Sequence, residues 1–231
     1  MSDGSISLDH LAADIVNRSG LRFTLATDDA TREIAYRLRY QALVDQRWQV
    51  GSDYPDGREQ DAYDVRAVHV LGWDADTAVA TGRLVLPPGR LPTEDACGIA
   101  VEPQEHVVDV GRMTVARTHQ GLGHSGFMSL LARLYLEVRA REFAYACGIM
   151  SARARSVLRL LGLPVELLGD DRLYWGELRA PVRFSVMIDP ALLTTRWRDA
   201  GPADPPKMTS GSGPTRFRAE HEGRVEAAKA E

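Results

Sequence analysis

An extended run that ends in a glycine turn and continues as a helix constrains this chain more than any other segment. Residues 107–115 are extended and largely β-branched, and residues 127–138 carry apolar side chains at helical spacing. Gly121 and Gly123 lie between the two. Because the first amides of a helix lack internal partners and glycine lets a ligand approach the backbone, this arrangement predicts an anion site of the kind that holds phosphate.

Two classes of phosphate-bearing ligand fit a strand, a glycine turn and a helix. The spacing Gly121-x-Gly123-x-x-Gly126 satisfies the dinucleotide fingerprint. That fingerprint needs an acidic residue at the end of the next strand, which we predict at residues 143–150, and Ser151 to Arg153 supply none. The dinucleotide interpretation is therefore disfavoured. A turn that only packs the helix on the sheet stays an alternative.

The turn resembles the pyrophosphate loop of the GCN5-related N-acyltransferases, whose pattern is Gln/Arg-x-x-Gly-x-Gly/Ala. The chain departs from that pattern only at its last position. The resemblance implies that this loop holds the phosphates of a phosphopantetheine or coenzyme A thioester, and that the backbone amide of Val115 holds the thioester carbonyl. The loop residues are Gln120, Gly121, Leu122, Gly123, His124 and Ser125.

The order of elements predicts one mixed α/β domain. With 231 residues, 44% of them hydrophobic, the chain can bury one substantial core. We expect a helical extension at 1–20, an acyltransferase domain at 21–194 and a flexible tail at 195–231, where Gly, Pro, Ser and charge dominate. Strands are predicted at 21–26, 65–73, 78–86, 106–116, 143–150 and 180–189, and helices after Asp28 or Asp29, at 124–142 and at 152–161. The family resemblance implies a splayed sheet of about seven strands with helices on both faces.

Composition narrows the function classes. A formal charge of −4 argues against a nucleic-acid binder, and no apolar run is long enough to span a membrane. Cys97 and Cys147 lack the spacing of a metal or disulfide framework, and the N-terminus lacks signal-peptide features. The histidines offer no metal site, and His69 is expected to be a strand residue with ordinary hydrogen bonds. We therefore expect a soluble, cytoplasmic protein without a metal.

A second set of motifs lies upstream of the glycine turn and within the strand before it. This set resembles the acyl-homoserine lactone (autoinducer) synthases and the long-chain N-acyl amino acid synthases, over about residues 36–190. Those families carry Glu-x-Asp-x-Tyr/Phe-Asp after an Arg and a Trp, then Arg-Leu-Leu-Pro, then Glu-x-x-Arg-Phe-x-Val. The matching residues here are Arg39, Trp48, Glu59, Asp61, Asp64, Arg83, Asp109, Arg112 and Val115, with Asp109 in place of Glu.

The resemblance implies transfer of a fatty acyl group from an acyl carrier protein or coenzyme A to the amine of a small amino-acid-like acceptor. A lactone synthase that uses S-adenosylmethionine is an alternative, and so is a binding protein of the same fold without turnover. The implied catalytic residues are Asp109, Arg112, Val115 and Glu59, and the implied acceptor-binding residues are Arg39, Trp48, Asp61, Asp64 and Arg83.

The acidic motif either takes part in acyl transfer or is only a polar surface loop. A carboxylate beside an amine can hold its ammonium form and then help to pass a proton to water. The acidic run 53–64 therefore suits a cationic acceptor, while the arginines either pair with its carboxylates or clamp an acceptor carboxylate. The plain interpretation is a solvated loop.

The helices that follow the glycine turn are locally basic. Residues 125–165 contain six arginines and two acids. Arginine clusters attract acidic partners, and acyl carrier proteins are small and acidic. We expect Arg153, Arg155 and Arg159 to dock a carrier protein, unless they form only a solvated helical face.

Overall fold

One sheet of eight strands organises the part of the chain that the computed structural model describes, which is residues 7–47, 54–120, 125–160, 163–174 and 176–187. Its strand order is β1-β2-β3-β4-β5-β8-β6, and β7 pairs with β8. The strands are β1 (Arg22–Leu25), β2 (Ala67–Asp74), β3 (Thr77–Val85), β4 (Val107–Val115), β5 (Tyr145–Ser151), β6 (Glu166–Leu167), β7 (Arg172–Tyr174) and β8 (Glu177–Ser185). The β4–β5 pair is parallel and the other described pairs are antiparallel.

Helices cover both faces of this sheet. They are α1 (Leu8–Arg18), α2 (Asp29–Gln46), α3 (Pro92–Cys97), α4 (Ser125–Ala140) and α5 (Ala152–Leu160). Helix α4 buries Leu130 and Leu134 against Val70, Leu84 and Val108 in the main core. Helix α2 lies on the opposite face, where Tyr36 meets His69 of β2 and Arg39 pairs with Asp64, which precedes β2. The predicted mixed α/β fold is confirmed.

Strands β4 and β5 separate after a short parallel pairing, and this separation opens the functional cleft. Residues Val107–Asp109 pair with Tyr145–Cys147, whereas β4 continues to Val115 and β5 to Ser151. At the point of closest approach, a Cβ on Gly148 would lie 2.7 Å from the carbonyl oxygen of Val110. Only glycine therefore fits here before the strands diverge.

Helix α1 packs on α4. Leu11, Ala12 and Ile15 form a buried cluster with Met128 and Ala132, and the Tyr135 hydroxyl donates to Asp9 Oδ1 over 2.7 Å. Among the described helices, none is long and apolar enough to cross a membrane. The predicted tail at 195–231 lies outside the described residues.

The short elements are where the structure differs from the sequence prediction. Strands β6 and β7 span two and three residues and α3 spans six, and none of them was predicted. They are too short to show a period of 2.0 or 3.6 in side-chain polarity. The sheet therefore has eight described strands rather than about seven. The Asp28 side chain accepts from the Thr31 amide and caps α2, which decides between the two predicted caps.

Candidate active site in the cleft beside strand β4

Three arginines and three carboxylates from distant parts of the sequence form one cluster beside β4. Arg39 comes from α2, Arg83 from β3 and Arg112 from β4, and the carboxylates follow one another between α2 and β2. They are Glu59, Asp61 and Asp64. Six of the nine residues predicted from the second set of motifs therefore lie together.

Arg39 is the buried centre of this cluster. Its side chain is 2% exposed, its Nη1 and Nη2 donate to the two oxygens of Asp64 over 2.8 and 3.0 Å, and its Nε donates to Glu59. Forked pairing of this kind suits the planar guanidinium and the carboxylate. Burial alone would raise the pKa of Asp64, but hydrogen bonds and charge from Arg39 and Arg83 hold it well below its usual range.

Arg112 reaches the cluster because the strand is irregular at this residue. The register of β3 on β4 shifts between Thr81 and Arg83, and Arg112 adopts a left-handed conformation with φ 53°. A β-bulge re-aims the side chain of the extra residue. Here the Arg112 Nε donates to Glu59 Oε1 over 2.9 Å, and its Nη2 donates to Asp61 Oδ2 over 3.0 Å.

Arg83 is the third arginine of the cluster, and its charge brings the net charge of the six side chains to zero. Arg83 Nη1 donates to Asp61 Oδ1 over 2.6 Å and to Asp64 Oδ1 over 2.9 Å, and its side chain is 1% exposed. Each carboxylate of the cluster is therefore paired with arginine. The sequence left open whether these arginines bind the carboxylates or an acceptor, and the structure shows that they bind the carboxylates. The three arginines and the three carboxylates therefore form a neutral network.

The local fold of residues 61–66 explains the spacing of the acidic motif. The Asp64 side chain accepts from the Asp61 amide over 2.8 Å, and the Asp61 side chain accepts from the Tyr63 amide over 3.0 Å. This reciprocal capping starts the short 3-10 helix Ala62–Arg66. The same two carboxylates that receive the arginines are thus held by their own backbone.

His69 lies beneath the cluster, and sequence analysis gave it no role. The side chain is fully buried, the ring meets Tyr36 edge-on at 5.5 Å, and Nε2 lies 3.6 Å from Asp64 Oδ1. Neither ring nitrogen has a hydrogen-bond partner within the described residues, so the prediction that His69 makes ordinary hydrogen bonds is wrong. The pKa of His69 falls from 6.5 to about 4, mainly because the ring is buried. The negative charge of Asp64 opposes this decrease, and the positive charges of Arg39 and Arg83 add to it.

This buried histidine makes a testable contribution to stability. The unfolded chain takes up a proton near pH 6.5, whereas folded His69 does so only near pH 4, so acid favours unfolding in that interval. As the pH falls between those values, we expect the contribution of His69 to the free energy of unfolding to decrease by up to about 1.4 kcal/mol per pH unit. Urea unfolding of wild type and His69→Gln at several pH values measures this contribution. If the free energy of unfolding changed with pH at the same slope in both proteins, the prediction would be contradicted.

Asp109 does not join the cluster, although the resemblance implied a catalytic carboxylate there. Its side chain is buried on the same strand, and Oδ2 accepts from the Thr93 amide over 2.8 Å and lies 3.8 Å from Cys147 Sγ. Burial raises the pKa of Asp109. Among the described contacts, this carboxylate holds α3 to the sheet and does not line the cleft.

The cleft itself consists of two neighbouring cavities along β4. The first, ≈ 270 Å³, is bounded by Arg39, Glu59 and Arg112 on one side and by Met150, Ser151, Ala154 and Arg179 on the other. The second, ≈ 370 Å³, is lined by Val115, His119 and Gln120. They share the wall residues Ala42, Met113, Thr114 and Phe127. The cluster and the start of the predicted phosphate loop therefore line two adjacent cavities with a common wall.

Several predicted site residues fall beyond what the structure describes. Trp48 and residues 121–124 lie outside the described residues, and only the backbone of Ser125 is described. The Gln120 side chain donates to the Val115 carbonyl over 2.6 Å, which ties the start of the loop to β4. The described residues contain no group of side chains that could hold a metal ion.

Of the three arginines predicted to dock a carrier protein, two are on the surface. Arg153 and Arg159 are exposed on α5. Arg155 is buried and pairs with Asp171 over 2.8 and 2.9 Å while donating to the Met150 carbonyl. Arg155 therefore fixes α5 to the segment before β7, and we leave it out of the docking surface.

Comparison with known proteins relates this geometry to acyl transfer. Residues 38–129 match the model of the acetyltransferase (GNAT) domain family. No curated protein matches the chain. Among solved structures, the acyl-homoserine lactone synthase LasI has a TM-score of 0.61 at 13% identity, covering 81% of this chain and 98% of LasI. The CoA-dependent acyl-homoserine lactone synthase MesI has a TM-score of 0.62 at 21% identity, covering 82% and 100%.

A third similar structure has a different product. FeeM, an N-acyl amino acid synthase from uncultured soil microbes, has a TM-score of 0.54 at 13% identity, covering 78% of this chain and 94% of FeeM. At identities this low the likeness establishes the fold. The acceptor and the donor have to be argued from the residues of this chain.

Proposed function

We propose that this GNAT-type acyltransferase moves an acyl group from a thioester of coenzyme A or acyl carrier protein to the amine of a small amino-acid-like acceptor. The observation that carries the proposal is the pair of adjacent cavities along β4, which share one wall and which we interpret as one groove. Glu59 and Arg112 line one end, and Val115 and Gln120 line the other, where the phosphate-loop pattern begins. A thioester held at the loop would thus reach the charged cluster.

The charge balance of the cluster supports an amino-acid acceptor. Three arginines neutralise three carboxylates, so the site offers both signs of charge without a net excess. The amine of such an acceptor suits Glu59, because carboxylate oxygens retain acceptor capacity beyond one arginine each. FeeM, described as an N-acyl amino acid synthase, agrees with this choice.

The reaction would proceed by addition and elimination at the thioester carbonyl. The free amine forms the new C–N bond, the C–S bond breaks, and the thiol leaves with a proton. In our proposal Glu59 holds the amine and helps to pass its proton to water, while Arg112 and the Val115 amide stabilise the oxygen that gains charge. Asp109 has no place among the reacting groups, because it bonds to Thr93 away from the cleft.

A lactone synthase that uses S-adenosylmethionine is the second candidate. The observation in its favour is that LasI and MesI align over 98% and 100% of their lengths. Mass spectrometry of small molecules from cells that overproduce the chain separates the candidates. An N-acyl amino acid supports our proposal, a lactone supports the second candidate, and no new molecule supports a binding protein without turnover.

Either donor carrier is compatible with the groove. MesI is described as CoA-dependent, which supports coenzyme A. The exposed Arg153 and Arg159 support an acidic carrier protein.

Both described cysteines are free, which agrees with the cytoplasm as the site of action.

The phosphate-loop assignment predicts a loss of donor binding in Gly123→Val. A branched side chain would occupy the space through which phosphate approaches the backbone, so we expect the affinity for acyl-CoA to fall at least about tenfold. Calorimetry measures the affinity, and circular dichroism checks the fold. Unchanged affinity would remove the phosphate-loop assignment.

Carrier docking on α5 predicts a donor-dependent effect of charge reversal. The double variant Arg153→Glu and Arg159→Glu should raise the KM for acyl carrier protein about tenfold and leave the KM for acyl-CoA nearly unchanged. The matched control reverses Arg18 and Arg37, which are exposed on α1 and α2. Equal effects of the α5 variant on both donors would argue against docking there.

A further inference from the structure

We propose that residues 189–200, which follow the last strand, fold back into a cavity at the end of β8. The proposal concerns a contact within the chain and does not depend on the proposed function. It would move the end of the folded domain from residue 194, where the sequence predicts it, to about residue 200.

The cavity, of ≈ 440 Å³, opens where strand β6 stops beside β8. Strand β6 pairs with β8 at Glu166 and Leu167. The register would next place Pro164 opposite Ser185, but proline has no N–H to donate to a ladder. Strand β8 continues to Ser185 on its pairing with β5, so a hollow remains between the two strands. The surface inside it is mainly apolar, and its apolar wall residues are Tyr145, Pro164, Val165 and Phe184.

Exposed apolar side chains lie next to this cavity along the chain. Leu167 follows the wall residue Glu166 and is 50% exposed, and Met187 lies two residues beyond the wall residue Ser185 and is 65% exposed. Covering such a surface with another apolar segment removes it from water and is favourable. The end of β8 therefore offers a docking surface for an apolar segment.

The chain itself supplies that segment at the rim of the cavity. Ser185 lines the cavity and its Oγ accepts from the Met187 amide over 3.1 Å, and residues 188–231, outside the described residues, begin directly after Met187. The large apolar residues at the start of this stretch are Ile188, Leu192, Leu193 and Trp197, and Gly, Pro and Ser dominate from residue 201. Because the entropy cost of closing a loop grows with its length, the first segment reaches the cavity at the lowest cost.

The sequence of this segment carries the signals of a short helix with one apolar face. Asp189-Pro190 is typical of a helix start and Gly201-Pro202 of a helix end. Leu193 and Trp197 are four positions apart, a spacing that places two side chains on the same helix face. A segment tethered at the cavity also has a high effective concentration there, which favours it over a second copy of the chain.

Thermal unfolding of the full chain tests the docking. Trp197→Ser should lower the melting temperature by at least about 4 °C, because an apolar ring that is removed from water in the folded state is lost. The matched control is Phe217→Ser, since Phe217 also lies between two arginines of the same tail. This control should shift the melting temperature by less than about 1 °C.

A double-mutant cycle with Val165 locates the contact. Val165→Asp places a charge in the cavity wall, so in this background Trp197→Ser should cost less than about half of what it costs in wild type. Val165→Thr, which keeps the shape of the side chain, replaces Val165→Asp if that variant does not fold. Equal losses in Trp197→Ser and Phe217→Ser, or additive losses at Val165 and Trp197, would overturn the proposal. A melting temperature that rises with protein concentration would also overturn it, because a second copy would then fill the cavity.

Discussion

Arg39→Met is expected to lower the free energy of unfolding by about 3–5 kcal/mol, the usual cost of leaving buried charges without their partner. Arg39 is 2% exposed, and its loss leaves Glu59 and Asp64 with exposures of 5% and 0%. Arg83 and Arg112 compensate them only in part. The expected cost exceeds that of a truncated surface arginine by several kcal/mol because water cannot replace the missing guanidinium.

The matched control for this prediction is Arg37→Met on the same helix. Arg37 pairs with Glu33 at 2.7 Å, but its side chain is 62% exposed. A surface pair of this kind contributes at most about 1 kcal/mol. Urea unfolding followed by circular dichroism measures both variants. Similar losses in Arg37→Met and Arg39→Met would contradict the claim that the network stabilises the fold.

Glu59→Gln and Arg112→Lys are each expected to lower turnover by at least about 100-fold, the scale for loss of a positioned proton-transfer or charge-stabilising group. Gln keeps the size of Glu59 and removes its charge. Lys keeps the charge of Arg112 and loses the fork that now spans Glu59 and Asp61. Donor affinity should change little, because the phosphates are expected to bind at residues 120–125.

The double variant tests whether the two residues act together. If they do, Glu59→Gln with Arg112→Lys should lose little more turnover than either single change. Glu33→Gln, a surface carboxylate of α2, is the control and should keep its turnover. Near-normal turnover of Glu59→Gln at saturating donor would show that the cluster is structural and has no part in the reaction.

The motifs predicted which residues assemble but not how they pair. Arg39, Asp64 and Arg83 are separated by 25 and 19 positions, and their contacts depend on the register of β2 on β3 and on the seating of α2. Turn geometry and side-chain alternation set the register of a hairpin such as β2–β3, but no local pattern encodes how α2 packs against the sheet. The burial of Arg39, Asp64 and Arg83, and hence the stabilising role of the cluster, follows from this packing.

The bulge at Arg112 accounts for the contact of that side chain with Glu59 and not for the position of Asp109. In a regular strand Asp109 and Arg112 point to opposite faces, since successive side chains alternate. The bulge and the left-handed conformation of Arg112 turn that side chain toward Glu59, while Asp109 stays next to Cys147, two residues nearer the start of β4 than Gly111. Gly111, directly before Arg112, is the sequence signal that could have indicated this irregularity, because an isolated glycine inside a strand marks a bulge.

In our proposal, the groove along β4 transfers an acyl group from a thioester to an amine. Purified chain incubated with an acyl-CoA and a mixture of amino acids tests it most directly, with free thiol and N-acyl product measured together. We predict one amide formed for each thiol released, and at least about 100-fold less of both with Glu59→Gln. Thiol release without any amide, at the same rate in wild type and Glu59→Gln, would contradict the claim.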